Sequence, residues 1–231
     1  MITISKASNK AIAYACKFFH YAGHSPAGNV LGYSVFNDGE FCGVVTFGSG
    51  ANNNIGTAYG LKQGEVCELT RVALNGKQTT TSQVVAMCLK HLKKDAPLIR
   101  LVVSYADADQ KHFGTIYQAT NWIYVGTNLQ NVKDGSYIIN GQRIHGRRIS
   151  NYVKKAGGLH GLSRLEFVCK YYDKNATEYV TTGKRKYLMP MDKRLRKQLQ
   201  QLAKPYPKNP AKVTYKESHP EKYKKSKSNT E

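Results

Sequence analysis

Apolar and polar residues alternate with a period of two over residues 30–36 and 41–47, and Asn37-Asp38-Gly39-Glu40 between them carries the Asp-Gly step of a tight hairpin. Ahead of this hairpin, Ile2-Thr3-Ile4 reads as a short strand. Ser8 stands as the cap of a helix over about 9–19, with Ile12, Ala15, Cys16 and Phe19 on one face. Residues 20–29 form a loop rich in Gly, His and Pro, and the stretch 48–64 is too polar and glycine-rich for a core, so it predicts a second loop within reach of a ligand. A strand over 65–74, a turn over 75–81, a helix over 82–94, a buried-type strand over 98–104, a helix over 110–119 and a strand over 122–127 follow. Tyr137-Ile138-Ile139 opens a hairpin that turns at Asn140-Gly141. Beyond it the pattern predicts a helix near 149–155 and strands near 166–171 and 186–189.

This order predicts an α/β fold, a mixed central sheet with flanking helices. The turn between the fourth strand and its helix presents backbone N–H groups suited to an anion, although the GxxxxGK[ST] order of a phosphate-binding P-loop is absent. Two regions are expected. Residues 1–183 make the folded domain, including a basic hairpin and helix at 137–158. Residues 184–231 make a basic C-terminal extension, where prolines at 205, 207, 210 and 220 interrupt any continuous helix and the last ~20 residues have a flexible composition.

Charge sharpens the picture. The 231 residues hold 35 Lys and Arg against 15 Asp and Glu, a net of +20, and residues 184–231 alone carry +11. Lys184, Arg185, Lys186 and Arg194 lie in that segment; Arg143, His145, Arg147, Arg148, Lys154 and Lys155 form a second cluster, with tyrosines interleaved through both. Positive charge mixed with aromatic rings is the footprint of a nucleic-acid binder, favoured over an acidic protein or a membrane. No apolar run approaches the roughly 20 residues of a membrane span, and 1–10 lacks the order of a signal peptide, so the expected location is cytoplasmic. The five cysteines are scattered with no CxxC pair, which predicts buried free thiols.

The element order resembles the GNAT acyltransferase fold, in which the turn after the fourth strand holds the pyrophosphate of acyl-CoA. Asn75-Gly76-Lys77-Gln78-Thr79-Thr80-Thr81 departs from the (Q/R)xxGx(G/A) pattern of that turn by replacing small glycines with threonines. Four segments carry a narrower likeness: His20-Tyr21-Ala22-Gly23; Glu68-Leu69-Thr70-Arg71; Ser104-Tyr105-Ala106-Asp107 running on through 112–122; and Lys184-Arg185-Lys186-Tyr187-Leu188 with Pro205-Tyr206-Pro207-Lys208. Over about 18–208 the chain resembles the Mom DNA-modification proteins of phage Mu and its relatives. That resemblance implies a GNAT-like enzyme of the infected host cell's cytoplasm that converts adenine N6 in double-stranded DNA to N6-carbamoylmethyl (acetamido) adenine, protecting phage DNA from host restriction. It also suggests iron near His20 and Tyr21. The donor stays open between acyl-CoA-like and aminoacyl types, and so does pairing with a second copy as a homodimer.

Candidate residues follow from the chemistry. Asp107, at the C-terminal end of a buried strand, is a carboxylate placed to bond N6 and accept its proton, or to cap the next helix, for which Asp109 is the better placed. Tyr117 falls where GNAT folds put a tyrosine that protonates the leaving group, or where a ring simply packs on the sheet. Arg71 is set to pair with a donor anion or with Glu68. Ser82 adds a hydroxyl to the anion turn, formed by Asn75, Gly76, Lys77, Thr79, Thr80 and Thr81, or caps the helix. His24, His112, His145 and His160 lack a ligand spacing. Two other readings stand beside the leading one: an N-acetyltransferase for a protein or small amine, and a non-catalytic DNA-binding accessory protein.

Overall fold

A computed structural model describes residues 1–50, 54–128 and 131–208. In chain order the elements are β1 (Ile2–Lys6), α1 (Asn9–Phe19), β2 (Val30–Asn37), β3 (Glu40–Gly48), β4 (Val66–Leu74), α2 (Thr81–Asp95), β5 (Leu101–Asp107), α3 (Thr115–Gln118), β6 (Ile123–Asn128), β7 (Val132–Ile139), β8 (Gln142–Ile144), α4 (Gly146–Lys155), α5 (Arg164–Tyr171), β9 (Thr177–Thr181), β10 (Lys184–Pro190) and α6 (Lys193–Gln200). Seven strands form one sheet in the order β1-β2-β3-β4-β5-β10-β6. Its central pair, β4 and β5, is parallel, and every other pairing in it is antiparallel. The fold is therefore α/β, with a mixed sheet and flanking helices.

Both faces of the sheet are covered, which is why β5 reads as a continuous apolar run. Val102 and Ala106 pack with Val84, Val85, Cys88 and Leu92 of α2, while Leu101 and Val103 pack with Leu195 and Leu199 of α6. Ile12, Ala15 and Cys16 of α1 lie on Val44 and Ala73. Cys16, Cys42, Cys67 and Cys88 are buried free thiols and Cys169 is half-buried. No helix among the described residues is long and apolar enough to cross a membrane.

Between β6 and β10 the chain leaves the sheet to build a second layer, three strands in the order β8-β7-β9 carrying α4 and α5. This insert has its own core of Tyr137, Ile139, Ile149, Phe167 and Val168. The chain then returns, and β10 enters the main sheet between β5 and β6. A boundary at 183 consequently cuts through the sheet: Lys184, Arg185 and Lys186 begin a central strand. The segment after α6 is also tied down, by Lys204 N–H to Tyr124 O at 2.8 Å and Tyr206 Oη to Trp122 O at 2.6 Å. The rest of the basic tail, 209–231, lies outside the described residues.

Several elements differ from the pattern-based expectation, each for a local reason. Residues 166–171 are helical, because Ser163 and Glu166 form a reciprocal capping box that starts α5. The helix expected over 110–119 shrinks to α3, since Lys111 and Gly114 adopt φ of 55° and 73°, outside the helical region. The helix expected from 149 begins three residues earlier, with the His145 ring accepting Arg147 N–H. The polar loop 54–64 buries Tyr59 and Leu61 against the sheet. The hairpins at 37–40 and 139–142 form as expected, with positive φ at Asp38, Gly39, Asn140 and Gly141.

One carboxylate binds the insert to the main sheet. Asp109, only 4% exposed, accepts from Thr181 Oγ1, Thr182 N and Thr182 Oγ1 at 2.7–2.9 Å and from Arg143 Nη1 at 2.8 Å. Arg143 also pairs with Asp134 and lies 3.9 Å above the Tyr179 ring. Asp109 is thus an anchor for β8 and β9 and does not cap α3, whose cap position is Gly114. Burial alone raises the Asp109 pKa, but the Thr182 and Thr181 bonds outweigh it and hold the acid at about 2. A depressed carboxylate contributes stability above its unfolded pKa of about 4, and that contribution fades as pH falls toward 2. The insert should accordingly loosen between about pH 4 and pH 2, and Asp109→Ala, which takes from Arg143 one of its two carboxylates and leaves the Thr181 and Thr182 donors unpaired, should cost about 3 kcal/mol in urea unfolding at neutral pH. Gly114→Ala should cost about 2–4 kcal/mol in the same measurement, because a Cβ there runs into the buried Tyr187 ring and φ is +73°.

Candidate active site

The central parallel pair is short. β4 and β5 are in register only at Val66, Cys67 and Glu68 opposite Leu101, Val102 and Val103, and beyond that point the two strands separate. On its other side β4 pairs Leu69 with Phe47 and Arg71 with Thr46, so Thr70 is an extra residue, a bulge. A bulge bends its strand and re-aims the side chains beside it. Ser104 stands at the fork, its hydroxyl 3.1 Å from the Leu69 carbonyl that β5 no longer pairs and 2.8 Å from Tyr117 Oη.

The wedge between the diverging strands is a cavity of about 350 Å³. Of the residues expected at a site, His20, Tyr21, Arg71, Thr81, Asp107 and Tyr117 all line it. Glu68, Thr70, Tyr105 and His112 line it too, and were not foreseen. His112 is brought in by the turn after β5, which no spacing in the sequence reveals. Lys184, expected on a DNA surface, also faces the cavity, placed there because it pairs with Asp107 across β5 and β10.

Ser82 goes elsewhere. It borders a depression between α2, α3 and Met189. The cap of α2 is Thr80, whose hydroxyl accepts Gln83 N–H. The anion turn is partly occupied by its own side chains: Gly76 N–H bonds Gln78 Oε1, Lys77 N–H bonds Asn75 Oδ1, Thr79 Oγ1 bonds Gln83, and the Lys77 ammonium pairs with Glu40.

Inside the cavity the groups are polar and sparsely satisfied. Arg71 Nη1 donates to its neighbour's carbonyl, Thr70 O, at 2.8 Å, whereas its Nε is buried without a partner among the described residues. Asp107 Oδ1 accepts Asp109 N–H at 3.0 Å, so the residue that anchors the insert also orients this carboxylate. Burial pushes the Tyr117 hydroxyl up to about 12, keeping it a proton donor. His20 is drawn down to about 4 by burial first and then by Arg71, His112 and His24, so its ring is neutral. Its Nδ1 accepts Ala22 N–H at 3.1 Å, which leaves the proton on Nε2. Tyr21 stacks on that ring at 4.4 Å and meets His112 edge-on at 5.7 Å.

These residues do not fit an iron site. The lone pair of His20 Nδ1 is already used, and among the described residues no three His, Cys, Asp or Glu side chains gather as ligands. Around the cavity the expected basic residues divide. Arg143 is consumed by Asp109 and Asp134, and Arg185 donates to His112 O and covers the Phe113 ring at 4.5 Å. Lys186 lies 4.9 Å over the Tyr59 ring. His145, Arg147, Arg148, Lys154 and Lys155 are exposed on and around α4, and Arg194 is exposed on α6.

The methylcarbamoylase Mom of Escherichia phage Mu is 26% identical over 198 residues, covering 82% of this chain and 76% of that protein. Among solved structures, a probable acetyltransferase from Staphylococcus epidermidis overlaps 83% of this chain and all of its own, with 10% identity and a TM-score of 0.44. An acetyltransferase from Salmonella typhimurium that modifies the N-terminal serine of ribosomal protein L7/L12 overlaps 83% and 95%, with 10% identity and a TM-score of 0.46. Both scores are low, and the fold rests on the strand order above. The family model described as the Mom protein family matches residues 1–208, the whole described body of the molecule, and this chain belongs to that family.

Proposed function

We propose that this protein is a transferase that places a carbamoylmethyl (acetamido) group on the N6 amine of adenine in double-stranded DNA, a modification that shields the DNA from restriction. The observation that carries the reading is the Asp107 carboxylate, the Tyr117 hydroxyl and the Arg71 side chain lining one cavity. The phage Mu relative is named a methylcarbamoylase, which supports transfer of a carbamoyl-bearing group, and the carbamoylmethyl form is the one the family resemblance implies.

Adenine N6 is a weak nucleophile because its lone pair is delocalised into the ring, and within a duplex it is stacked and paired. The target base therefore leaves the helix. Exposed His145, Arg147, Arg148, Lys154 and Lys155 meet the phosphates, while the extruded base enters between the diverging strands. Asp107 bonds the amine and takes its proton as the N6–carbon bond forms. The bond from that carbon to the donor's leaving atom breaks with its electron pair going to the leaving group, which the Tyr117 hydroxyl protonates. The Arg71 guanidinium and the neutral His20 Nε2–H hold the carboxamide oxygen of the donor. Because the Gly76 and Lys77 N–H groups are engaged within their own turn, the donor is anchored at the Thr81 end of α2.

Mass spectrometry of nucleosides from DNA of cells expressing the protein, against an empty vector, should show deoxyadenosine heavier by a carbamoylmethyl group. Asp107→Asn should lower that product at least 100-fold, the scale of a general base, while duplex affinity in a gel-shift assay stays unchanged. Unmodified deoxyadenosine in the wild-type sample overturns the reading. NMR titration of His20 should give a midpoint near pH 4, with no inflection in activity near 6.5 from this residue. Since the folded pKa lies below the unfolded one, the neutral ring should also cost stability as pH falls from about 6.5 toward 4.

A further inference from the structure

We propose that the exposed face of α1 is a stacking platform for unpaired nucleotides of the strand whose adenine enters the cavity; this rests on the DNA reading above. Tyr14 and Phe18, four residues apart, stand on the solvent side of α1, 52% and 60% exposed, with ring centroids 4.8 Å apart. Neither is needed to bury the helix, whose core contact is made by Ile12, Ala15 and Cys16. The face borders the site: the Tyr14 ring meets Phe19 edge-on at 5.6 Å, and Phe19, on the inner face of α1, lines the cavity, as does Tyr21, itself 63% exposed.

Charge selects the occupant. Over Asn9–Phe19 the helix bears Lys10 and Lys17 and no acid, and Lys17 Nζ sits 5.1 Å from the Phe18 ring. Rings interleaved with lysines suit a polyanion with π-faces. A second copy of the chain fits less well, because a two-fold contact through this face sets Lys10 and Lys17 against themselves. Extruding an adenine removes a stacking neighbour from the bases beside it, and rings leading away from the cavity mouth replace what those bases lose.

The test uses Phe18→Trp in the full chain. The natural tryptophan, Trp122, is fully buried, so quenching reports on position 18. A single-stranded dT oligonucleotide should quench the new emission and a blunt duplex of equal length should not. Tyr14→Ala with Phe18→Ala should weaken dT binding by about tenfold or more per ring, leaving duplex affinity and elution volume unchanged. Absence of quenching, equal loss for both probes, or conversion of a dimer to a monomer by the double substitution overturns the proposal, the last assigning the face to a second copy. Modified adenine produced by a wild-type protein that shows no such ring dependence removes this proposal alone. Quenching with unmodified adenine supports it and removes the transfer reading alone.

Discussion

Everything at the cavity depends on the point where β4 and β5 stop pairing. Three parallel register positions hold the centre of the sheet, and after Glu68 and Val103 a bulge at Thr70 turns β4 away. Separated strands leave backbone acceptors without their ladder partners, and the cost is contained by side chains: Ser104 serves the Leu69 carbonyl and Arg71 serves that of Thr70. The same separation exposes Asp107, Arg71 and Tyr117 to one space. These side chains share that space because sheet hydrogen bonding stops there while the sheet stays packed on both faces.

Among the described residues a line of bonds through Asp109 joins the insert to this fork. Asp109 holds the threonines ending β9 and the arginine of β8, and its own N–H fixes the Asp107 carboxylate. A basic layer outside the sheet and the carboxylate inside the cavity thus share a two-residue lever. In a low-dielectric setting such a network is rigid only when complete, which gives the insert a mechanical bearing on the site beyond its charge.

Much of the main sheet was legible in the sequence because its signals are local: alternation for β2 and β3, the Asp-Gly hairpin, Ser8 ahead of α1, and the apolar run that became β5. The errors lie where tertiary context overrides such signals. Residues 166–171 look strand-like until Ser163 and Glu166 are seen to cap them, and the stretch after Asp107 looks helical until left-handed Lys111 and Gly114 interrupt it. At the site, Asp107, Tyr117, Arg71, His20 and Tyr21 were found from motif blocks. Glu68, His112 and Lys184 stood in the same blocks without being given a place there; the turn after β5 brings in His112, and the register of β10 brings in Lys184. Arg143 illustrates the opposite error: counted as phosphate-binding charge, it is spent on two buried carboxylates.

The position of β10 bears on how the molecule is made. It is the last strand among the described residues yet lies inside the sheet, between β5 and β6, and Lys184 completes the edge against which Asp107 is set. During synthesis β5 and β6 exist first with open edges, while the intervening insert can close on its own core. Only when residues 184–190 emerge and thread between them does the sheet close. Assembly of the centre is thus a late, long-range event, and a chain interrupted before that strand carries most of the side chains of the site without the frame that holds them together.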